Sequence, residues 1–284
     1  MRYVSFYENG RVRPGLIQGD RVTAIACESL LEYIAHAPEH RAKHHVNETL
    51  ALAADVQLAA PVHPHKNVFC VGRNYLEHAK EGAKALGREL NLPEVPTFFT
   101  KSPTAIADPE ATLEFDTGLS QQMDWEGELA VVIGSRVKDV REEDAMQAVF
   151  GYTCLNDITA RGLQRAHLQW FKGKSLDNSC PIGPWIVGAD EIPDPHKLQI
   201  STRVNGSRKQ DSNTGHMIFR ISRLIAELSK GMTLDPGDVI ATGTPDGVGF
   251  ARTPPEFFQH GDVVEVAIQK IGTLRNTIRY TAQA

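Results

Sequence analysis

Short apolar runs, broken at close intervals by glycine and proline, occupy the greater part of this chain. They restrict it to folds built from many brief strands. Asn67–Val71, Leu129–Ile133, Val149–Leu155, Asp238–Ala241 and Val263–Ile268 have the length and composition of buried strands. Helical spacing is clear in two places. Leu76, Ala79, Ala83, Leu86 and Leu90 recur at three- and four-residue steps, as do Ile218, Ile221, Ile225 and Leu228. Many strands with few helices predict an α+β, β-rich fold rather than a regular βαβ succession.

The first sixty residues read differently. Strands flank the turn at Asn9-Gly10, and residues 28–58 are polar and predict helix. Pro61-Val62-His63-Pro64-His65 then breaks any regular element, because each proline disfavours helix in the residue before it. We place a boundary there, between a small α/β domain over residues 1–62 and a larger one over 63–284.

Composition removes several classes of function. The net charge of −5 offers no basic surplus to neutralise a phosphate backbone, so no nucleic-acid partner is expected. No apolar run approaches the ~20 residues of a membrane helix, and the N-terminus lacks the apolar stretch of a signal peptide. Cys27, Cys70, Cys154 and Cys180 are far apart and form no CxxC pair. They read as reduced thiols in a cytoplasmic protein, with no zinc–thiolate site expected. His36, His40, His44, His45, His63 and His65 lack ligand spacing and read as surface residues.

Nucleotide and serine-hydrolase motifs fail. Gly173-Lys174-Ser175 ends like a phosphate loop, but Leu168 stands where its first glycine is needed. Gly243-Thr-Pro-Asp-Gly247-Val-Gly249 has the wrong glycine spacing for a dinucleotide turn, and no Gly-x-Ser-x-Gly elbow exists.

The informative stretch is Asp124-Trp-Glu126-Gly-Glu128, which opens directly onto an apolar strand. Strand alternation would send Glu126 and Glu128 to one face, where like charges repel unless a cation lies between them. A lone Glu-x-Glu pair also occurs as a solvated strand edge. Asp157, at the end of the apolar run Phe150–Asn156, adds a third carboxylate at a strand end. Oxygen-only ligands suit a hard cation, Mg²⁺ (or Mn²⁺, Ca²⁺), better than zinc. His78 and Glu81 are neighbours on one helical face, where a carboxylate can orient an imidazole as a general base; solvent-facing helices also carry such pairs. Lys174 lies among aromatics between Trp170 and Trp185, where a buried ammonium needs an anionic partner.

Taken in order, these segments resemble the fumarylacetoacetate hydrolase family from about Val68 to Tyr280. The matching residues are Gly72-Arg-Asn-Tyr75 with His78-x-x-Glu81, Lys101-Ser-Pro, Asp124-Trp-Glu-Gly-Glu128, Asn156-Asp157 through Arg161 and Gln164, and Lys172-Gly-Lys174-Ser. Val204-Asn-Gly, Asn213-Thr214 and Gly237 through Gly249 complete the set. The resemblance implies a mixed β-sandwich roll around a Mg²⁺ or Mn²⁺ site, behind a small N-terminal domain, in a homodimer. It assigns Glu126, Glu128 and Asp157 to the metal, His78 and Glu81 to a catalytic pair on a lid helix, and Lys174 and Gln164 to the reacting centre. Arg161, Lys101 and Thr244 fall near the substrate. The Leu/Ala stripe continuing beyond Glu81 predicts a lengthened lid.

The chemistry expected on this basis is hydrolysis of a C–C bond in a 2,4-diketo acid of the acylpyruvate type, giving pyruvate and a carboxylic acid. Relatives with the same constellation also include oxaloacetate-type decarboxylases, dienoate isomerases and sugar-acid dehydratases, so those reactions stand as the alternative. A non-catalytic carboxylate-binding module is a remoter one, against which the His78–Glu81 pair argues.

Overall fold

The structure is a computed structural model, and it describes residues 1–52 and 55–282. At its centre Gly127–Ile133 pairs antiparallel with Val149–Asn156, Glu128 lying opposite Leu155. Every residue of Gly127–Ile133 is buried. Leu129, Val131 and Ile133 pack in one core with Ile200, Val266, Leu274 and the helix Ile221–Ser229. Ala130 and Val132 face a second core with Leu30, Tyr33 and Ile34. A strand covered on both sides has no solvent face, which is why it reads as an unbroken apolar run.

Val239–Ala241 flanks this pair, and Val68–Gly72 runs parallel to it before the edge strand Thr97–Lys101. On the other side lie Cys180–Gly188 and then Arg2–Glu8, which it meets with Tyr3 opposite Ile186. One sheet therefore runs from the N-terminal strands Arg2–Glu8, Arg11–Gln18 and Arg21–Ile25 into the larger part of the chain. A five-stranded sheet, centred on Gln199–Val204, Val263–Ile268 and Gly272–Thr281, closes over it. The α+β, β-rich roll expected from the sequence is the observed architecture.

Two helical expectations need correction. Within the described part of residues 28–58, helix is confined to Leu30–Ala35, capped by the Ser29 side chain, to Pro38–Arg41 and to a single 3-10 turn at Ala42–His44. His45–Leu52 and Gln57–Ala59 are strands instead, and residues 53–54 of that span lie outside the described residues. Pairing of His45–Leu52 with Arg21–Ile25, a long-range contact, overrides the helical preference of Leu50, Ala51 and Leu52. The first amphipathic helix is Leu76–Ala85, so Leu90 lies beyond it. Gly87, at φ +62°, ends it: Gly87 N donates to Lys84 O and Arg88 N to Ala83 O, which satisfies two terminal carbonyls.

Candidate active site

Bonds between the two central strands first bring the acidic residues into position. Asp157 N donates to Glu126 O at 2.8 Å, and Glu126 N donates to Asn156 Oδ1 at 2.9 Å. These two bonds lock the start of one central strand to the end of its neighbour. Carboxylate oxygens of Glu126, Glu128 and Asp157 consequently lie within 4.8 Å of one another, and all three residues are buried.

Cationic side chains surround this cluster. Lys174 Nζ lies 2.8 Å from Glu126 Oε2 and 2.6 Å from Asp157 Oδ2. Lys101 Nζ donates to Asp157 Oδ1 at 2.8 Å and to Ile158 O at 3.0 Å. Arg161 Nε donates to Asp124 Oδ2 at 2.8 Å, while its NH2 lies 2.6 Å from Glu126 Oε1, an ionic contact rather than a well-aligned hydrogen bond. Arg161 NH1 donates to Gln164 Oε1 at 3.0 Å.

Four buried carboxylates thus face three buried cations, and Glu128 is the carboxylate without a cationic contact. Burial, and then the charges of Asp157 and Glu126, push Glu128 well above the usual carboxylate range. Burial pushes Glu126 the same way, but Lys174 and Arg161 outweigh it and hold that carboxyl at about 2. Burial lowers Lys174, and the charges of Asp157 and Glu126 overcome it, so the ammonium stays protonated. An all-oxygen donor set, one of whose carboxyls resists ionising for want of a further positive charge, fits a hard divalent cation.

Backbone amides of one glycine-rich loop clamp the acids. Gly243 N donates to Glu128 Oε2 at 2.7 Å, and Gly247 N donates to Glu81 Oε2 at 2.9 Å. Gly243 and Gly247 have φ of +100° and +98°, a region that side chains with a Cβ rarely adopt. The loop unsuited to a dinucleotide therefore serves carboxylates. Glu81 Oε1 lies 2.9 Å from His78 Nδ1. Because a carboxylate can only accept, Nδ1 carries the proton and Nε2 of the neutral ring is left as a base.

A cavity of about 650 Å³ opens over the cluster. His78, Glu126, Glu128, Arg161, Gln164, Lys174 and Thr244 all line it, together with Arg73, Arg88 and Arg165. Lys101 does not line it; fully buried, it braces Asp157 from behind. Thr244 Oγ1 donates to Gly127 O and accepts from Gln210 Nε2, so much of its bonding is structural. Leu86, Arg88, Glu89, Leu90 and Asn91, beyond the shortened helix, form part of the wall.

Sequence reasoning missed Asp124 and Asn156. Asp124 accepts from Arg161, Gly249 N and Phe250 N, and so fixes the guanidinium that reaches Glu126. Its place two residues before Glu126 in the acidic stretch was the available signal.

A model of the C-terminal domain of fumarylacetoacetate hydrolases matches residues 67–279. The chain belongs to the fumarylacetoacetate hydrolase family. Among its relatives is an oxaloacetate tautomerase, YisK, of Bacillus subtilis, 49% identical over 226 residues, covering 79% of this chain and 74% of that one. A mitochondrial oxaloacetate tautomerase of Xenopus laevis, fahd2, is 42% identical over 234 residues, 82% of this chain and 71% of that one. Among solved structures, a fumarylacetoacetate hydrolase from Exiguobacterium antarcticum superposes with a TM-score of 0.86 at 40% identity, covering 99% of this chain and 100% of that one. A 5-carboxymethyl-2-hydroxymuconate delta-isomerase from Mycobacterium smegmatis gives 0.83 at 34% identity, with 99% and 100% covered. The protein is therefore an enzyme of this family, and its acidic cluster could hold the divalent metal that family members generally bind. Among the described residues, no helix is long and apolar enough to cross a membrane.

Proposed function

We propose that this enzyme interconverts the enol and keto forms of a 2-oxo dicarboxylate of the oxaloacetate type. This replaces acylpyruvate hydrolysis as the leading reading. The observation that carries it is one acid–base pair, His78–Glu81, in a cavity lined by four arginines and Lys174. A proton relay needs one such pair, whereas hydrolysis needs a positioned water as well. A dianionic substrate matches the cationic lining. The relatives named as oxaloacetate tautomerases support the same reaction class.

Held by Glu126, Glu128 and Asp157, a divalent ion (Mg²⁺ or Mn²⁺) would supply concentrated positive charge against a developing enolate. Arg161 and Gln164, whose side chains are already joined, would receive a substrate carboxylate. Lys174, kept cationic by Glu126 and Asp157, would stand against the C2 oxygen as charge accumulates there. In ketonisation Nε2 of His78 takes up the C2 hydroxyl proton, the imidazolium so formed releases it to the C2=C3 electron pair as the new C3–H bond, and C2 becomes a carbonyl. His78 carries the proton at C3 through Nε2, and Glu81 holds the ring in the tautomer this requires. The homodimer implied by the family resemblance belongs to the same proposal.

The test follows the decay of enol-oxaloacetate by its ultraviolet absorbance, with Mg²⁺ present, alongside pyruvate release from acetylpyruvate and maleylpyruvate. Tautomerisation is expected to exceed C–C cleavage by orders of magnitude and to depend on His78. Pyruvate release that outpaces ketonisation would return the protein to the hydrolases. Light scattering of the same sample checks the dimer.

A further inference from the structure

Away from the acidic cluster, Cys27, His36 and His44 each present a ligand atom within 4.8 Å of the others. None of these residues takes part in the chemistry above, and their sequence spacing matches no paired-ligand pattern. The fold assembles them from three segments. Cys27 follows the strand Arg21–Ile25, His36 caps the helix Leu30–Ala35, and His44 ends the turn Ala42–His44. Ala26 N donates to His44 O at 2.8 Å, which fastens two of these segments side by side.

Two further observations point to a ligand. His36 Nε2 is buried and has no hydrogen-bond partner among the described residues, a cost that coordination would relieve. His44 Nδ1 lies 3.2 Å from Ala26 O. A carbonyl only accepts, so Nδ1 carries the proton and Nε2 keeps its lone pair. A carbonyl in that place commonly fixes a metal-binding imidazole.

We propose that Cys27, His36 and His44 form a second metal site, for a borderline-soft divalent ion such as Zn²⁺, which clips the N-terminal strands and helix together. One thiolate and two imidazoles suit zinc, and three protein ligands leave the fourth tetrahedral position to water. This donor set differs in kind from the all-oxygen cluster, so one chain would sort two metals by softness. Zinc lies about 2.3 Å from sulfur and about 2.0 Å from nitrogen, which calls for closer ligands than 4.8 Å. Side-chain rotation must supply the difference. The His36 and His44 rings stack at 4.1 Å and 19°, and they must tilt apart for their lone pairs to converge. Binding replaces the Cys27 S–H bond with a sulfur–metal bond and releases that proton to solvent.

Cobalt(II) titration of the full-length enzyme in excess Mg²⁺ tests this. Mg²⁺ fills oxygen sites, and only a thiolate ligand gives cobalt an intense near-ultraviolet charge-transfer band. Cys70, Cys154 and Cys180 are buried and lie outside the cluster, so they do not contribute. The expected result is such a band at one equivalent, abolished by Cys27→Ser and weakened at least tenfold in affinity by His36→Gln or His44→Gln. Zn²⁺ should displace the cobalt and raise the melting temperature of the wild type but not of Cys27→Ser. Unchanged Mg²⁺-dependent turnover in each variant confirms that the fold is intact. A missing band in the wild type, or a band that survives Cys27→Ser, would overturn the site.

Discussion

His78 Nδ1 and Glu81 Oε1 are 2.9 Å apart on one face of the helix Leu76–Ala85, and the second oxygen of Glu81 is held by the Gly247 amide. The carboxylate is therefore fixed at both ends, and it fixes the imidazole in turn. Replacing His78 with Ala removes the proposed proton carrier and should lower kcat by about 10²–10⁴. Glu81→Gln keeps the shape but can present an amide N–H to Nδ1, which favours the wrong tautomer. A smaller loss of about 10–100-fold is expected. Stopped-flow ketonisation assays compare the two, and equal losses would show that Glu81 does more than orient the ring.

Glu126→Ala should abolish both divalent-metal binding and turnover, because it removes an oxygen of the proposed metal cluster and frees Lys174 and Arg161 from their shared partner. Exhaustive chelation of the wild type should give the same inactivity, restored by Mg²⁺ or Mn²⁺. Calorimetric titration of Mg²⁺ into the variant measures the first effect. Heat of binding equal to the wild type would detach the cluster from the metal.

Lys101→Met leaves Asp157 Oδ1 and Ile158 O without their buried donor. Breaking a buried ion pair by removing one partner costs about 3–5 kcal/mol. Urea denaturation of the metal-free protein should show an unfolding free energy lowered by that amount. A change below about 1 kcal/mol would mean that water or Lys174 replaces the lost ammonium.

His196 predicts a dependence of stability on pH. Its Nε2 accepts from Ile221 N, at the start of the helix Ile221–Ser229, at 3.1 Å, and its Nδ1 faces Asp194 at 3.6 Å. Burial, and then the charge of Arg220, lower its pKa, only partly opposed by Asp194. The folded state thus resists protonation while the unfolded imidazole accepts a proton near pH ~6.5. The stabilisation is complete above that pH and is lost as pH falls towards the lower folded value. His196→Gln keeps an acceptor that does not titrate. Unfolding free energies from denaturant titrations between pH 7.5 and pH 5 should show a step of about 1 kcal/mol in the wild type, the worth of one helix-capping bond, and a smaller one in the variant.

Gly243→Ala puts a Cβ 2.7 Å from Asn74 Cβ at a backbone φ of +100°. The strain should displace the amide that holds Glu128, weakening metal affinity along with stability. Thermal melts and Mg²⁺ titrations check both, and intact metal affinity would show that Glu128 needs no clamp.

The sequence by itself determined the strands of the central sheet, the helix at Ile221–Ser229 and the acidic, His78–Glu81 and Lys174 positions. Each of these is a local pattern: an apolar run buried on both faces, a helical period, or charged residues at a strand end. Tertiary structure alone decided the rest. It turned residues 45–52 into a strand by pairing them with Arg21–Ile25, and it set Lys101 behind Asp157 rather than in the cavity. It made Asp124 the anchor of Arg161 and gathered Cys27, His36 and His44 into one cluster. Residue spacing reports only what neighbours along one element share. The distance between side chains on different elements depends on strand register and loop path, and these emerge only when both sheets close over a common core.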